Sequence, residues 1–277
     1  MLYAKSPQWA AVAIKVEDLM AGAGFSLLKD GGRTRAGVLA CDGSRVFVKR
    51  IASGSWLKGV AERVRGSRAT RTLRGAAVLS AGGFAHPEPL AALEHRSFGA
   101  VTASYVLSEV LVDARMMSVF ALAGGRNFRR RKWVSETVAR EVRRLHDAGI
   151  YTRDLQETNL MLAAEAEGAP ITIYFVDLED FRLRRRVSMK WRLRNLVHLD
   201  RSIGRFVSST QRLRFLYNYL GGKPVRAETR QVVGRLRALR ARIDTRGGRA
   251  LAPRPAAGGE VGGVAPQGFS RAGVGEN

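Results

Sequence analysis

Three oxygen-bearing side chains open the chemistry of this chain. Asp154 is followed five positions later by Asn159, in the frame Arg153-Asp154-Leu155-x-x-x-Asn159, and a short apolar run, Ile171–Val176, ends on Asp177. An Asp, an Asn and a second Asp in this order suit phosphoryl transfer from a nucleotide. The first Asp can accept the proton of an attacking hydroxyl, and the Asn and the second Asp supply oxygen ligands, which Mg²⁺ prefers. The plainer reading makes Asp154 and Asn159 surface-loop residues that bond their own backbone, and Asp177 a strand-end turn. The apolar anchors Leu155, Leu160 and Leu162 weigh against it, because they fix the polar pair on a core. Glu179 and Asp180 add negative charge nearby, in a supporting or a purely structural role.

A lysine and a glycine turn extend the set. Lys49 is expected to end the third strand, in Val46-Phe47-Val48-Lys49-Arg50, where a rigid strand could carry its ammonium to nucleotide phosphates; alone, it would read as a solvent-facing strand end. Gly31-Gly32 is either an ordinary hairpin turn or a mobile one with backbone N–H groups facing phosphate. His146 and His198 read as helix residues rather than ligands, no His/Cys spacing suggests zinc, and no nucleophile elbow supports Ser/His/Asp hydrolysis.

The elements that must position these residues fall into two groups. Between Phe25 and Arg50, β-rich runs are separated by Asp30-Gly31 and Asp42-Gly43, a strong hairpin signal. Residues 55–65 and 67–80 pattern as helices, the second with Ser67 as its N-cap and Gly82-Gly83 at its end. Two more strands follow around Leu90–Glu94 and Ala103–Leu111, making a five-stranded antiparallel sheet with one main helical insertion. Beyond it, Val134, Val138, Val142 and Leu145 mark one side of a helix stopped by Gly149. After the Asp154–Asp177 stretch come a helical region over 188–220 and an amphipathic segment carrying Val225, Val232, Leu236, Leu239 and Ile243 on one stripe. The expected division is an N-terminal extension 1–24, a β-rich lobe 25–110, a mainly helical lobe 111–245, and a Gly/Pro/Arg tail 246–277 expected to be disordered.

Composition narrows the partners. The 277 residues carry a formal net charge of +23, a field that attracts polyanions such as nucleic acid, anionic lipid or a phosphorylated glycolipid. The runs Arg129–Lys132 and Arg184–Arg186 point to a negatively charged partner. No aromatic–basic module of a known nucleic-acid binder is present, so nucleic acid is the weaker choice. No stretch of about twenty apolar residues could span a bilayer. The single cysteine, Cys41, cannot form an internal disulfide, and a cytoplasmic setting is expected.

Taken together, Val46–Arg50, Gly82–Ala91, Tyr105–Glu109, Leu145–Leu155, Asn159–Leu162, Phe175–Asp180, Arg194–Ser202 and Arg214–Leu220 resemble the bacterial lipopolysaccharide core kinases, the Kdo kinase/heptose kinase (WaaP/InaA-like) branch of the protein-kinase-like superfamily. The resemblance covers about residues 25–222. It implies an α+β bilobal kinase fold with ATP between the lobes and backbone groups of Glu109 and Leu111 meeting adenine. It implies Asp154 as catalytic base, Asn159 and Asp177 as Mg²⁺ ligands, and Lys49 on the phosphates. The acceptor would be a sugar hydroxyl of the lipopolysaccharide inner core, Kdo or heptose, at the cytoplasmic face of the inner membrane. Two positions depart from the family pattern. Thr152 stands where the superfamily has His before Arg-Asp, which predicts a looser loop. Thr72 aligns with the helix glutamate that normally pairs with the lysine, Glu62 being a second candidate. Those departures, with the charge, leave a pseudokinase or basic polyanion-binding scaffold as the alternative; another small hydroxyl substrate or a protein is the alternative acceptor.

Overall fold

The computed structural model describes residues 1–41, 43–122, 127–164, 169–204, 206–222 and 226–248. Its first half is β1 (Tyr3–Ala4), α1 (Pro7–Ile14), α2 (Val16–Ala21), β2 (Phe25–Asp30), β3 (Thr34–Cys41), β4 (Ser44–Ala52), α3 (Trp56–Arg65), α4 (Arg68–Ala81), β5 (Pro89–Ser97) and β6 (Ala100–Glu109). The strands form one antiparallel sheet in the order β1-β5-β6-β4-β3-β2. The five expected strands are β2–β6. The sixth, β1, is a two-residue edge strand, too short to show alternation in sequence. Residues 1–24 also give the sheet its cover: Val12, Ala13, Val16 and Met20 of α1 and α2 bury against Leu39, Val46, Val48, Leu93 and Leu107.

The second half is β7 (Arg115–Met116), α5 (Met117–Leu122), α6 (Phe128–Asp147), β8 (Ile150–Tyr151), β9 (Leu160–Ala163), β10 (Thr172–Phe175), β11 (Arg182–Leu183), α7 (Met189–Ile203), α8 (Ser209–Tyr219) and α9 (Arg226–Gly248). The helical region expected over 188–220 consists of two helices, because α7 ends at Gly204 and Ser208 opens α8 with a capping box. Val134, Val138, Val142 and Leu145 of α6 bury in one core with Leu155, Leu160, Leu162, Phe175 and Leu196. Burying such side chains stabilises by roughly 1.5–3 kcal/mol each before entropy is charged against it.

The chain divides into two compact units at Leu239/Arg240. The second unit contains the last turns of α9, with an Arg240–Asp244 pair at 3.6 Å. Val225 and the tail beyond Gly248 lie outside the described residues. No helix among the described residues is long and apolar enough to cross a membrane.

One helix joins the two halves. α4 starts at Ser67, whose hydroxyl accepts from the Thr70 N–H. Ala69 packs on Ala92 and Val106 of the sheet, while Ala76 and Leu79 bury in the helical core. A Cβ on Gly75 would stand 1.9 Å from the Leu178 carbonyl oxygen. Only glycine lets α4 lie this close to the segment that follows Asp177.

Candidate active site

Asp177 is delivered by β10, which pairs with β9 from Thr172↔Ala163 to Phe175↔Leu160. Asp177 takes a left-handed conformation (φ 58°), uncommon outside glycine, and a 3-10 turn over Leu178–Asp180 follows. Its Oδ1 is 2.7 Å from the Lys49 ammonium. Lys49 lies on β4 between Ala36 of β3 and Val106 of β6, so two flanking strands fix its backbone. Asn159 sits at the end of a 3-10 turn over Glu157–Asn159, and its carbonyl accepts from the Val176 N–H at 3.0 Å. Its amide Nδ2 donates to the Asp154 carbonyl at 3.0 Å and to Asp154 Oδ2 at 3.3 Å. Gln156 donates to the other oxygen, Asp154 Oδ1. Hydrogen bonds thus tie Lys49 to Asp177, its chain neighbour Val176 to Asn159, and Asn159 to Asp154.

The lysine is oriented differently from the sequence expectation. Thr72 turns its hydroxyl back to the Arg68 carbonyl, 3.0 Å away, and Glu62 accepts from Ser53 at 3.2 Å. Neither touches Lys49. The carboxylate that does, beside Asp177, is Glu179, at 3.4 Å. Glu179 also holds Arg68 at 2.7 Å and Arg71 at 3.8 Å, and its side chain is only 9% exposed. The helix facing this corner carries arginines rather than a glutamate, so the carboxylate comes from the loop. Burial alone would lower the Lys49 pKa, but the charges of Asp177 and Glu179 outweigh it and the net shift is upward. The ammonium is therefore charged at neutral pH.

Nor does Thr152 loosen the loop. It is buried at 2% exposure, and its hydroxyl accepts from the Asp154 N–H at 3.2 Å. Its carbonyl accepts from Asn195 Nδ2 at 2.6 Å. Asn195 Oδ1 in turn pairs with His146 Nε2 at 3.0 Å, and His146 Nδ1 with the Tyr219 hydroxyl at 2.8 Å. Burial holds the Tyr219 phenol up at about 12 and pushes the His146 imidazole down to about 4. A neutral His146 then donates from Nε2 and accepts from Tyr219 at Nδ1, which satisfies every member of the row. Sequence reasoning read His146 only as a helix residue and missed this row. Its one signal is Asn195, an amide set among the buried Leu193, Leu196, Val197 and Leu199 of α7.

The remaining site residues line the sheet side. Gly31 and Gly32 form the β2–β3 turn, at the strand end where Thr34 pairs with Ile51, just beyond Lys49. Glu109 closes β6; its carboxylate accepts from the Glu88 N–H at 3.0 Å and its own N–H donates to the Glu88 carbonyl. Leu111 follows, half-buried, in the link to β7.

A divalent ion suits the donors present. Asn159 and Asp177 offer oxygen only, and Asp177 is 41% exposed toward a charged lysine. Among the described residues no group of three His, Cys, Asp or Glu side chains could hold a metal by itself. That donor set matches Mg²⁺, which takes one or two protein oxygens and completes its shell with phosphate and water.

Comparison with known proteins adds a family and a fold. The model of the lipopolysaccharide kinase (Kdo/WaaP) family matches residues 38–219. Among solved structures, WaaP in complex with acyl carrier protein superposes with a TM-score of 0.63 at 22% identity, covering 88% of this chain and 98% of that one. A MAP kinase from Leishmania major, LmaMPK10, aligns at a TM-score of 0.40 and 16% identity, over 78% of this chain and 68% of that one. No curated protein matches. The antiparallel sheet, the helical second half and the WaaP match together make the architecture a protein-kinase-like fold.

Proposed function

The chain belongs to the lipopolysaccharide kinase (Kdo/WaaP) family, and on that premise we propose that it moves the γ-phosphoryl group of ATP to a sugar hydroxyl of the lipopolysaccharide inner core. The observation that carries this reading is that Lys49 pairs with Asp177, whose chain neighbour Val176 is hydrogen-bonded to Asn159, which in turn holds Asp154. It joins a fixed cation, two oxygen donors and a carboxylate base.

Phosphoryl transfer has a loose transition state, so the protein's work is positioning and charge stabilisation. Lys49, held charged by its two carboxylates, neutralises phosphate oxygens. Asp177 and Asn159 would hold Mg²⁺, which would supply positive charge to offset that of the phosphates. Lys49 and Asp177 form an ion pair at 2.7 Å. Asp154 orients the acceptor hydroxyl and takes its proton. Asn159 and Gln156 restrain the carboxylate, and Thr152, pinned by Asn195, restrains its backbone. The Gly31-Gly32 turn would cover the phosphates, and backbone groups at Glu109 and Leu111 would seat the adenine.

Such an acceptor places the enzyme peripherally on the cytoplasmic face of the inner membrane, and a net charge of +23 favours an anionic leaflet. WaaP was solved in complex with acyl carrier protein; a pull-down with that protein tests whether this chain shares the partner. The decisive experiment is incubation with labelled ATP, Mg²⁺ and dephosphorylated core lipopolysaccharide, followed by mass analysis of the product. Transfer that falls by about a thousandfold or more in Asp154→Asn, with nucleotide binding retained, supports the kinase. Wild-type protein that binds nucleotide and polyanions yet transfers nothing is a scaffold instead.

A further inference from the structure

α3 meets the sheet through a glycine. Among its residues whose burial is described only Gly59 is buried, against β6, where an added Cβ would stand 2.4 Å from the Val101 carbonyl oxygen. Trp56, Leu57 and Val60 point away from the sheet. Trp56 is 61% exposed, Leu57 74% and Val60 36%, and Ala61 is exposed beside them. Positions 56, 57, 60 and 61 form one stripe on a 3.6-residue helix. Gly59 rests on Ala100 and Val101, the residues that follow the β5–β6 tip. At that tip Phe98 is 99% exposed with a positive φ of 48°, so the ring is held out by a turn that aromatic residues seldom adopt. Lys58 and Arg65, both exposed, lie along one edge of the stripe. The helix's one acid, Glu62, is turned inward to Ser53.

We propose that the outer face of α3, with Phe98 beside it, is a docking surface for an anionic phospholipid bilayer. Apolar and aromatic tips at the level of lysine and arginine heads match a headgroup–acyl boundary: rings enter the interface and cations meet phosphate. The arginine runs do not supply this surface by themselves. Arg130 is spent on the Phe120 carbonyl and ring, and Arg184 on the Tyr151 hydroxyl and ring. The inference rests on, and sharpens, the peripheral placement proposed above by naming the surface that makes the contact.

The test uses the full chain and phosphatidylcholine vesicles with and without phosphatidylglycerol. Wild-type protein partitions onto the anionic vesicles, and Trp56→Ser/Leu57→Ser lowers that partitioning by roughly tenfold or more at an unchanged unfolding temperature. Brominated acyl chains quench wild-type tryptophan fluorescence, and Trp56→Phe removes that quenching although three other tryptophans remain. Wild-type protein that stays off anionic vesicles overturns the proposal. So does partitioning unchanged in the double variant, or quenching that survives in Trp56→Phe. Transfer to a detergent-solubilised acceptor reports separately: the double variant keeps it. A chain that docks through Trp56 but transfers nothing would sink the kinase reading alone.

Discussion

α3 and α4 follow one another in the chain and are built alike. Each starts at a serine whose hydroxyl accepts from the N–H three residues on, Ser55 from Lys58 and Ser67 from Thr70. Each also makes its closest approach through a glycine, Gly59 on β6 and Gly75 on Leu178. What surrounds them differs. α4 packs on two sides: its small residues bury against both the sheet and the helical core, and Arg68 and Arg71 end on Glu179, the carboxylate that also holds Lys49. α3 touches protein on one side and leaves its apolar stripe outside. A helix's role here follows from what stands opposite its faces, since the serine cap and the anchoring glycine are shared.

If that is right, the two glycines respond differently to one added methyl. Gly75→Ala would drive a Cβ into the Leu178 carbonyl, which has no room to give. We expect a loss of about 3 kcal/mol in denaturant unfolding, with transfer nearly abolished as Glu179 and Asp177 are displaced. Transfer at wild-type rate in Gly75→Ala would break the comparison.

Both helices must be compared above pH 6.5, because the row behind the loop titrates in acid. The folded-state pKa of His146 is depressed from 6.5 to about 4, so the unfolded chain takes up the proton first. The stability held by neutral His146 is whole above about pH 6.5 and is lost as pH falls toward 4. The change amounts to about 3 kcal/mol or less. Urea unfolding of wild type and His146→Gln across that window measures it; equal pH slopes would refute the assignment.

A smaller effect is expected at the shared carboxylate. Glu179→Gln leaves Arg68, Arg71 and Lys49 facing one another with only Asp177 as counter-charge. Stability should fall by about 2 kcal/mol, the partners' exposure moderating the cost. The KM for ATP should rise together with a fall in kcat of roughly ten- to a hundredfold, as Lys49 loses its orientation. An unchanged KM would mean that Asp177 alone places the lysine.

The smallest effect belongs to α3. Gly59→Ala lifts the helix from Val101, costing about 1–2 kcal/mol, and leaves kcat for a solubilised acceptor unchanged. A fall in kcat matching that of Gly75→Ala would erase the distinction between the helices.

Much of this arrangement was legible before folding. Asp-Gly steps between apolar runs gave the hairpins, the four-residue spacing of Val134, Val138 and Val142 gave α6, and the frame from Asp154 to Asn159 gave the loop. These signals are local: turn chemistry and periodicity act over a few residues. The residue that orients Lys49 was not legible, because Glu179 lies 130 positions away and nothing near Lys49 hints at it. Nor was the support behind Thr152, which needs α6, α7 and α8 to meet at His146, Asn195 and Tyr219. The sequence by itself determined which groups could do chemistry and on which strand or loop each sits. Only the tertiary structure decided which carboxylate answers the lysine and which helix face stays uncovered, since both depend on contacts between segments whose separation in the chain carries no information about their distance in space.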